Sequence, residues 1–227
     1  MRHGAVDYFD EQGRAHSPDE VMLTPQGEAQ ARAAGELMRG LAVDRVITSG
    51  LARTRQTARI ATDAAGIPTP HEHWDELREI RGGRLSALGR EELAQAFTAA
   101  FSGPASLDTR FLGGESVGEL LDRIVPAMQR LLAQPEWDTA LLVLHGGVNR
   151  GLLSWFLTGQ RLFLGGIEQE AGCINVIDVT RAPPGALVRA VNVSPLDWLH
   201  GASRLSTMER LLHKYHRLAA GEAEQGA

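Results

Sequence analysis

A run of apolar residues at positions 140–144 constrains the fold more than any other feature of this sequence. A strand that is apolar on both faces is typical of a parallel sheet covered by helices on both sides. The run is followed at once by His145-Gly146-Gly147 and then by an apolar segment with helical spacing, residues 148–157. This order of strand, glycine turn and helix predicts an α/β fold.

Other segments extend the same pattern. Apolar residues at helical spacing predict helices over 25–39, 51–65, 88–101, 116–133 and 205–218. Apolar runs predict strands over 45–48, 174–179 and 186–193, the last two as an antiparallel hairpin at a sheet edge. We therefore predict a three-layer α/β/α sandwich with a mostly parallel central sheet and an antiparallel edge.

Length and charge limit the possible functions. The 227 residues fit one large domain, and we expect it to span 1–220, with a substrate-covering insertion at 84–114 and a flexible tail at 221–227. The net charge of −5 argues against nucleic acid or a membrane surface as the main partner. No stretch resembles a membrane span or a signal peptide, so we expect a cytoplasmic protein, with a homodimer as an open possibility.

Several residues that resemble functional groups are expected to be structural. The single Cys173 excludes an internal disulfide and is predicted to be a small core residue. The pairs His71/His73 and His213/His216 lack a third ligand in a recognisable pattern, so they are expected to be exposed polar residues. No metal and no cofactor are expected.

Two histidines lie where predicted strands end at glycine turns. They belong to Arg2-His3-Gly4 and to His145-Gly146-Gly147, while Ser49 and Arg53 follow the strand at 45–48. Ligands of open α/β sheets bind at the carboxyl ends of the strands. We therefore expect the two imidazoles and the two arginines to surround one pocket.

These residue types suit phosphoryl transfer. A neutral imidazole nitrogen can attack phosphorus, and a second imidazole, when protonated, adds charge and a hydrogen bond. Guanidinium groups stay charged and bind phosphate oxygens in a bidentate fork, for which Arg2 and Arg53 are the candidates. The leaving oxygen needs a proton, so a carboxylic acid should lie nearby.

Four sequence blocks resemble the motifs of the histidine phosphatase (phosphoglycerate mutase-like) superfamily. They are Arg2-His3-Gly4, residues 49–58, residues 77–83 and residues 145–148, and they occur in the order of the family. Residues 24–27 and 114–116 resemble secondary landmarks of the same family. The resemblance implies a phosphoglycerate mutase-like fold.

The resemblance also implies site roles. His3 would be the nucleophile that becomes phosphohistidine, Arg2 and Arg53 would clamp the phosphate, and His145 would complete the pocket.

The acid of the family is a carboxylate ahead of a glycine. Glu76 and Glu79 are both near enough in the sequence to be considered. Glu79 with Gly83 matches the family spacing, so we prefer Glu79.

The resemblance implies a metal-independent phosphatase that hydrolyses a small phosphorylated metabolite. Residues 5–10 lack the Ser and Trp-Asn of cofactor-dependent mutases, and the segment from 83 to 114 is short for a mutase insertion. One alternative is a mutase-like phosphotransferase. Another is an inactive module that binds a phosphorylated ligand, although that predicts the loss of a core residue and all five are present.

Substrate specificity is expected to come from residues 5–19 and 81–111, which should cover the pocket. Candidate contacts are Tyr8, Phe9, Arg84, Arg110 and Phe111.

The start of the chain departs from the family pattern. In the family, Arg-His-Gly ends a central strand of several apolar residues, whereas here only Met1 precedes it. A missing central strand would leave backbone groups of its neighbours unpaired, so we expect an apolar stretch upstream.

Overall fold

The computed structural model describes residues 1–10, 12, 14–83, 90–181, 184–199 and 204–220. The helices are α1 (Pro25–Leu37), α2 (Ala52–Ala65), α3 (Arg90–Thr98), α4 (Val117–Ala133), α5 (Gly146–Thr158) and α6 (Thr207–Ala219). The strands are β1 (Arg45–Thr48), β2 (His71–His73), β3 (Pro104–Ala105), β4 (Ala140–Val143), β5 (Phe163–Leu164), β6 (Ile174–Arg181) and β7 (Pro184–Val193). Short 3-10 turns lie at Asp75–Leu77 and Phe111–Gly113.

Strands β2, β1 and β4 form a parallel sheet in that order. Alternate residues of β1 face opposite sides, as the pleat of a strand requires. Val46 packs with residues of α1 and α2, whereas Ile47 packs with residues of α4 and α5. Helices therefore cover both faces, and the predicted α/β class with a parallel central sheet is confirmed.

The first three residues extend this sheet beyond β4. The Met1 nitrogen donates to the Leu142 carbonyl at 2.6 Å, and the Leu144 nitrogen donates to the Met1 carbonyl at 2.9 Å. The His3 nitrogen donates to the Leu144 carbonyl at 3.0 Å, and the Arg2 nitrogen to the Cys173 carbonyl at 3.0 Å. Met1 to His3 therefore bond to residues on both sides, whereas the expected apolar stretch upstream stays a prediction.

Local signals set several helix ends. Thr24 caps α1 through a hydrogen bond from the Gly27 nitrogen, with Pro25 as the first helical residue. Ser116 and Glu119 form a reciprocal capping box at the start of α4. Gly66 ends α2 in the left-handed conformation, at φ 73°.

Most predicted elements are present with shifted ends. Helix α5 begins two residues before the predicted start at 148, because His145 is itself the residue that precedes the helix. The antiparallel hairpin of β6 and β7 is confirmed, and Cys173 is buried as predicted. Residues 84–89, at the start of the predicted insertion, and the predicted tail at 221–227 lie outside the described residues.

Candidate active site

The fold brings His3, Arg53 and His145 together at the carboxyl edge of the parallel sheet. His3 ends the first segment, Arg53 lies in the first turn of α2, and His145 precedes α5. The two imidazole rings meet edge to face with their centroids 5.3 Å apart. All three side chains are at most 2% exposed, and His3 and Arg53 line a cavity.

A close backbone contact fixes the loop after His3. A Cβ atom on Gly4 would lie 2.3 Å from the Gly27 carbonyl oxygen, and one on Gly27 would lie 2.2 Å from the Ala5 carbonyl oxygen. Both positions therefore need glycine, since a side chain at either one would push the loop away from α1. This contact explains why the landmark at residues 24–27 accompanies the histidine motif.

The hydrogen bonds of His3 settle which nitrogen is free. Its Nδ1 lies 2.7 Å from the Gly4 carbonyl oxygen, which can only accept, so Nδ1 carries the hydrogen. In the neutral ring, Nε2 then holds an unshared electron pair. Burial, and next the positive charges of Arg53 and Arg2, lower the pKa of His3 well below its ordinary value. His3 is therefore held in the neutral, nucleophilic form.

A short hydroxyl chain orients His145. The Thr54 hydroxyl donates to the Leu51 carbonyl at 2.8 Å, so the Ser49 hydroxyl donates to Thr54 Oγ1 across 3.0 Å. Ser49 Oγ, 2.7 Å from His145 Nε2, then accepts the hydrogen of that nitrogen. Burial, followed by the nearby cations, lowers the pKa of His145 well below its ordinary value. Ser49 and Thr54 thus act as positioning residues for the second imidazole.

Three buried nitrogen atoms at this site have no hydrogen-bond partner. They are Arg2 Nε, Arg53 Nε and His145 Nδ1, and within the described residues no other buried side-chain nitrogen or oxygen is in this state. The remaining contacts of the arginines are to backbone carbonyls: Arg2 donates to Gln169 at 2.5 Å, and Arg53 donates to Pro18. Leaving the two buried guanidinium donors unpaired is costly, and His145 Nδ1 becomes a third donor when that ring is protonated, so the cluster is suited to an added oxyanion.

The structure places the two candidate acids differently. Glu79 lines the cavity, and its carboxylate accepts from the backbone nitrogens of Gly147 at 3.1 Å and Val148 at 3.3 Å, at the start of α5. A Cβ atom on Gly147 would lie 2.6 Å from Glu79 Oε1, so glycine is needed for this contact. Glu76 instead pairs with Arg130 at 3.0 Å and is not among the cavity residues.

Arg123 is a positioning residue that the sequence analysis missed. From α4 its guanidinium donates to the carbonyls of Glu76 at 2.7 Å, Arg78 at 2.6 Å and Glu79 at 3.0 Å. It is held in turn by Glu115, at 2.7 Å. Arg123 therefore fastens the segment that carries Glu79, and no local sequence signal marks an arginine for long-range backbone contacts.

The cavity above the cluster has a volume of about 1920 Å³ and is walled by α6, a second feature that was missed. Helix α6 is held over the site by Lys214, 2.5 Å from Asp7, and by Arg210, which pairs with Glu170. His213 is exposed as predicted, but it borders this cavity. The sequence predicted the helix but gave no indication of where it packs.

The predicted specificity residues divide into three groups. Tyr8, Phe9 and Phe111 line the cavity. Arg110 does not, because it turns to the Gly114 carbonyl at 2.7 Å and to Glu119. Arg84 lies outside the described residues.

Two further predictions concern metal and membrane. Across the described ranges, no three His, Cys, Asp or Glu side chains are grouped so that they could hold a metal ion. His71 is half-buried beside Thr62 and His73 lies 2.7 Å from Thr48 Oγ1, so both have protein partners. No helix in the described part of the chain is long and apolar enough to cross a membrane.

Comparison with known proteins covers most of the chain. The family model of the histidine phosphatase superfamily (branch 1) matches residues 1–192. The chain belongs to this superfamily. The predicted family and the expectation of an enzyme of the phosphatase class are thereby confirmed.

Relatives of this histidine phosphatase have several names. A protein of Salmonella paratyphi A named probable phosphoglycerate mutase GpmB is 35% identical over 154 residues, which is 64% of this chain and 67% of that protein. The crystal structure of the alpha-ribazole phosphatase from Shigella flexneri superposes with a TM-score of 0.65 at 21% identity, over 85% of this chain and 94% of that one. A mycobacterial glucosyl-3-phosphoglycerate phosphatase, complexed with VO3, gives a TM-score of 0.66 at 22% identity, over 84% of this chain and 96% of that one. The two structures show the shared fold.

The buried histidines make stability depend on pH. His3 and His145 have lowered pKa values in the folded chain, so between those values and about 6.5 the unfolded chain binds more protons. The contribution of these two histidines to the free energy of unfolding is therefore fully present above pH 6.5 and is lost as the pH drops, by up to about 2.7 kcal/mol per pH unit for two protons. Urea unfolding between pH 7.5 and 5 measures this slope. The double variant His3→Gln/His145→Gln should have a clearly flatter slope, and an unchanged slope would contradict the assignment.

Proposed function

We propose that this chain hydrolyses small phosphate monoesters through a phosphohistidine intermediate on His3, without a metal ion. The observation that carries the proposal is the set of three unpartnered buried nitrogens on Arg2, Arg53 and His145. Phosphate oxygens would accept from the two guanidinium nitrogens, and from His145 Nδ1 once that ring is protonated, beside the free Nε2 of the neutral His3 imidazole. Two guanidinium groups also supply the charge that stabilises a phosphoryl transition state.

The first step forms a bond between His3 Nε2 and phosphorus while the bond from phosphorus to the ester oxygen breaks. The leaving oxygen takes a proton from Glu79, whose Oε1 accepts most of the backbone hydrogen bonds and leaves Oε2 as the oxygen to hold that proton. In the second step a water oxygen attacks phosphorus while the bond from phosphorus to His3 Nε2 breaks, Glu79 takes a proton from that water, and inorganic phosphate leaves. His145, once protonated, donates from Nδ1 to the phosphoryl oxygens.

A mutase-like phosphotransferase is the competing function, favoured by the 35% identity to a protein named probable phosphoglycerate mutase. The two reactions differ in the acceptor of the phosphoryl group: water in one, a second substrate oxygen in the other.

The deciding experiment incubates the protein with phosphate monoesters, 3-phosphoglycerate included, in the presence of EDTA. Release of inorganic phosphate from any of them supports hydrolysis. Conversion of 3-phosphoglycerate to its 2-phospho isomer at a rate above phosphate release would support the mutase instead. Absence of both reactions in a folded sample would contradict the proposal.

A further inference from the structure

Aromatic side chains are concentrated around the cavity. Four of the six phenylalanines and both tyrosines of the chain line it, namely Tyr8, Phe9, Phe97, Phe101, Phe111 and Tyr215. Some of them contact one another, with ring centroids 5.5 Å apart for Phe9 and Tyr215 and 5.6 Å apart for Phe101 and Phe111. Phe9, Phe97 and Phe101 are buried, and their rings contact Tyr215 or Phe111.

The other three aromatic rings at the cavity are available to a ligand. Tyr8, Phe111 and Tyr215 are half-buried, so part of each ring faces the open space of the cavity. Met208 and Leu211 of α6 are also half-buried and border the same space. Aromatic faces and flexible apolar side chains of this kind bind apolar or ring-shaped groups.

Most cations around the cavity are already paired with carboxylates. These are Arg78, Arg81, Arg123, Arg150, Arg210 and Lys214, of which Arg81 and Arg123 share Glu115. Among the described arginines and lysines that line the cavity, this leaves Arg2 and Arg53 at the phosphate end, and Arg217 in the last turn of α6. Apart from the exposed Arg217, a second negative charge on the substrate would therefore lose water without gaining an unpaired cation in this part of the cavity.

We infer that the substrate is the phosphate monoester of an uncharged alcohol with an aromatic or other apolar body, which packs against Tyr8, Phe111 and Tyr215. This inference rests on the proposed function and narrows its substrate class. It disfavours phosphoglycerates and bisphosphates, since each carries a second anionic group.

Two alkyl phosphates with leaving alcohols of similar acidity test the inference without changing the chemistry. Burial of a phenyl group against the cavity wall should give 2-phenylethyl phosphate a kcat/KM about ten- to a hundredfold above that of ethyl phosphate, mainly through a lower KM. The kcat/KM for 3-phosphoglycerate should not exceed the kcat/KM for ethyl phosphate. A preference for 3-phosphoglycerate, or equal values for the two alkyl esters, would overturn the inference.

Alanine substitutions test where in the structure the preference for 2-phenylethyl phosphate arises. Phe111→Ala and, as a second site, Tyr215→Ala should each reduce the ratio of kcat/KM for 2-phenylethyl phosphate over ethyl phosphate by at least about fivefold. Phe156→Ala removes a half-buried ring that does not line the cavity, so it should leave this ratio unchanged. If Phe156→Ala changes the ratio as much as the other two, the preference does not arise at the cavity.

Substitution of Asp7 tests the role of the paired cations. Asp7→Asn frees Lys214, so it should raise kcat/KM for 3-phosphoglycerate relative to ethyl phosphate. Asp178→Asn breaks a comparable exposed pair with Arg189 on the hairpin, away from the cavity, and should not. Equal effects of the two variants would contradict the role of the paired cations.

Failure of the proposed function can be told apart from failure of this inference. If no ester is hydrolysed, the hydrolase proposal fails, and calorimetry on His3→Gln still compares the binding of the two alkyl phosphates. Tighter binding of 2-phenylethyl phosphate supports the apolar site, whereas equal or weaker binding overturns it.

Discussion

The variant His3→Gln is expected to lose phosphate monoester hydrolysis by at least about 10³-fold, because it removes the nitrogen that attacks phosphorus. Glutamine retains a side-chain amide that can donate where Nδ1 of His3 donates to the Gly4 carbonyl. The buried cluster should therefore stay folded while the chemistry is lost. Release of inorganic phosphate measures this loss.

The intermediate itself is the sharper measurement. Wild-type protein quenched during turnover of a ³²P-labelled ester should carry a label that is stable in alkali and labile in acid, whereas His3→Gln should carry none. His73→Gln, an exposed histidine on β2, is the matched control and should behave as wild type. Retention of activity within tenfold by His3→Gln would show that the phosphoryl group does not pass through His3.

The variant Glu79→Gln is expected to lower kcat by about 10² to 10⁴-fold for alkyl phosphates, since their alkoxide leaving groups need a proton. For p-nitrophenyl phosphate, whose leaving group is stable as an anion, the loss in the first step should be much smaller. A residue that acts only on the structure would lower both activities alike. The split between the two substrates therefore measures proton donation itself.

Glu76→Gln serves as the matched control for this experiment. Glu76 is three residues away and pairs with Arg130 outside the cavity, so its variant should keep the activity of the wild type on both substrates. If Glu76→Gln shows the split and Glu79→Gln does not, the acid has been assigned to the wrong carboxylate.

The sequence could predict the buried cluster because its parts are local. A strand that ends at a glycine turn places the next side chain at the sheet edge, and this applies to both His3 and His145. Arg53 follows β1 closely enough that the first turn of α2 brings it to the same edge. Parallel pairing then brings these side chains together, because it aligns the carboxyl ends of the strands at one edge of the sheet.

The remainder depends on contacts between distant segments. The three backbone carbonyls that Arg123 binds lie more than 40 residues away in the sequence, and nothing near Arg123 specifies them. Helix α6 has a regular amphipathic pattern, yet that pattern is equally compatible with packing elsewhere on the molecule. Packing against Phe97 and Leu112 decides its place, and periodicity does not encode such a choice of partner.

The two ends of the cavity are built by different parts of the chain. The phosphate end is formed by residues fixed to the central sheet, whereas the aromatic part comes from the loop after Gly4, the region around Phe97 to Phe111, and α6. Mutations that reshape the aromatic part can therefore accumulate while the reacting groups keep their geometry. In evolutionary terms the reaction and the choice of alcohol are separable traits, which allows proteins of this architecture to diverge in substrate without losing a shared chemistry.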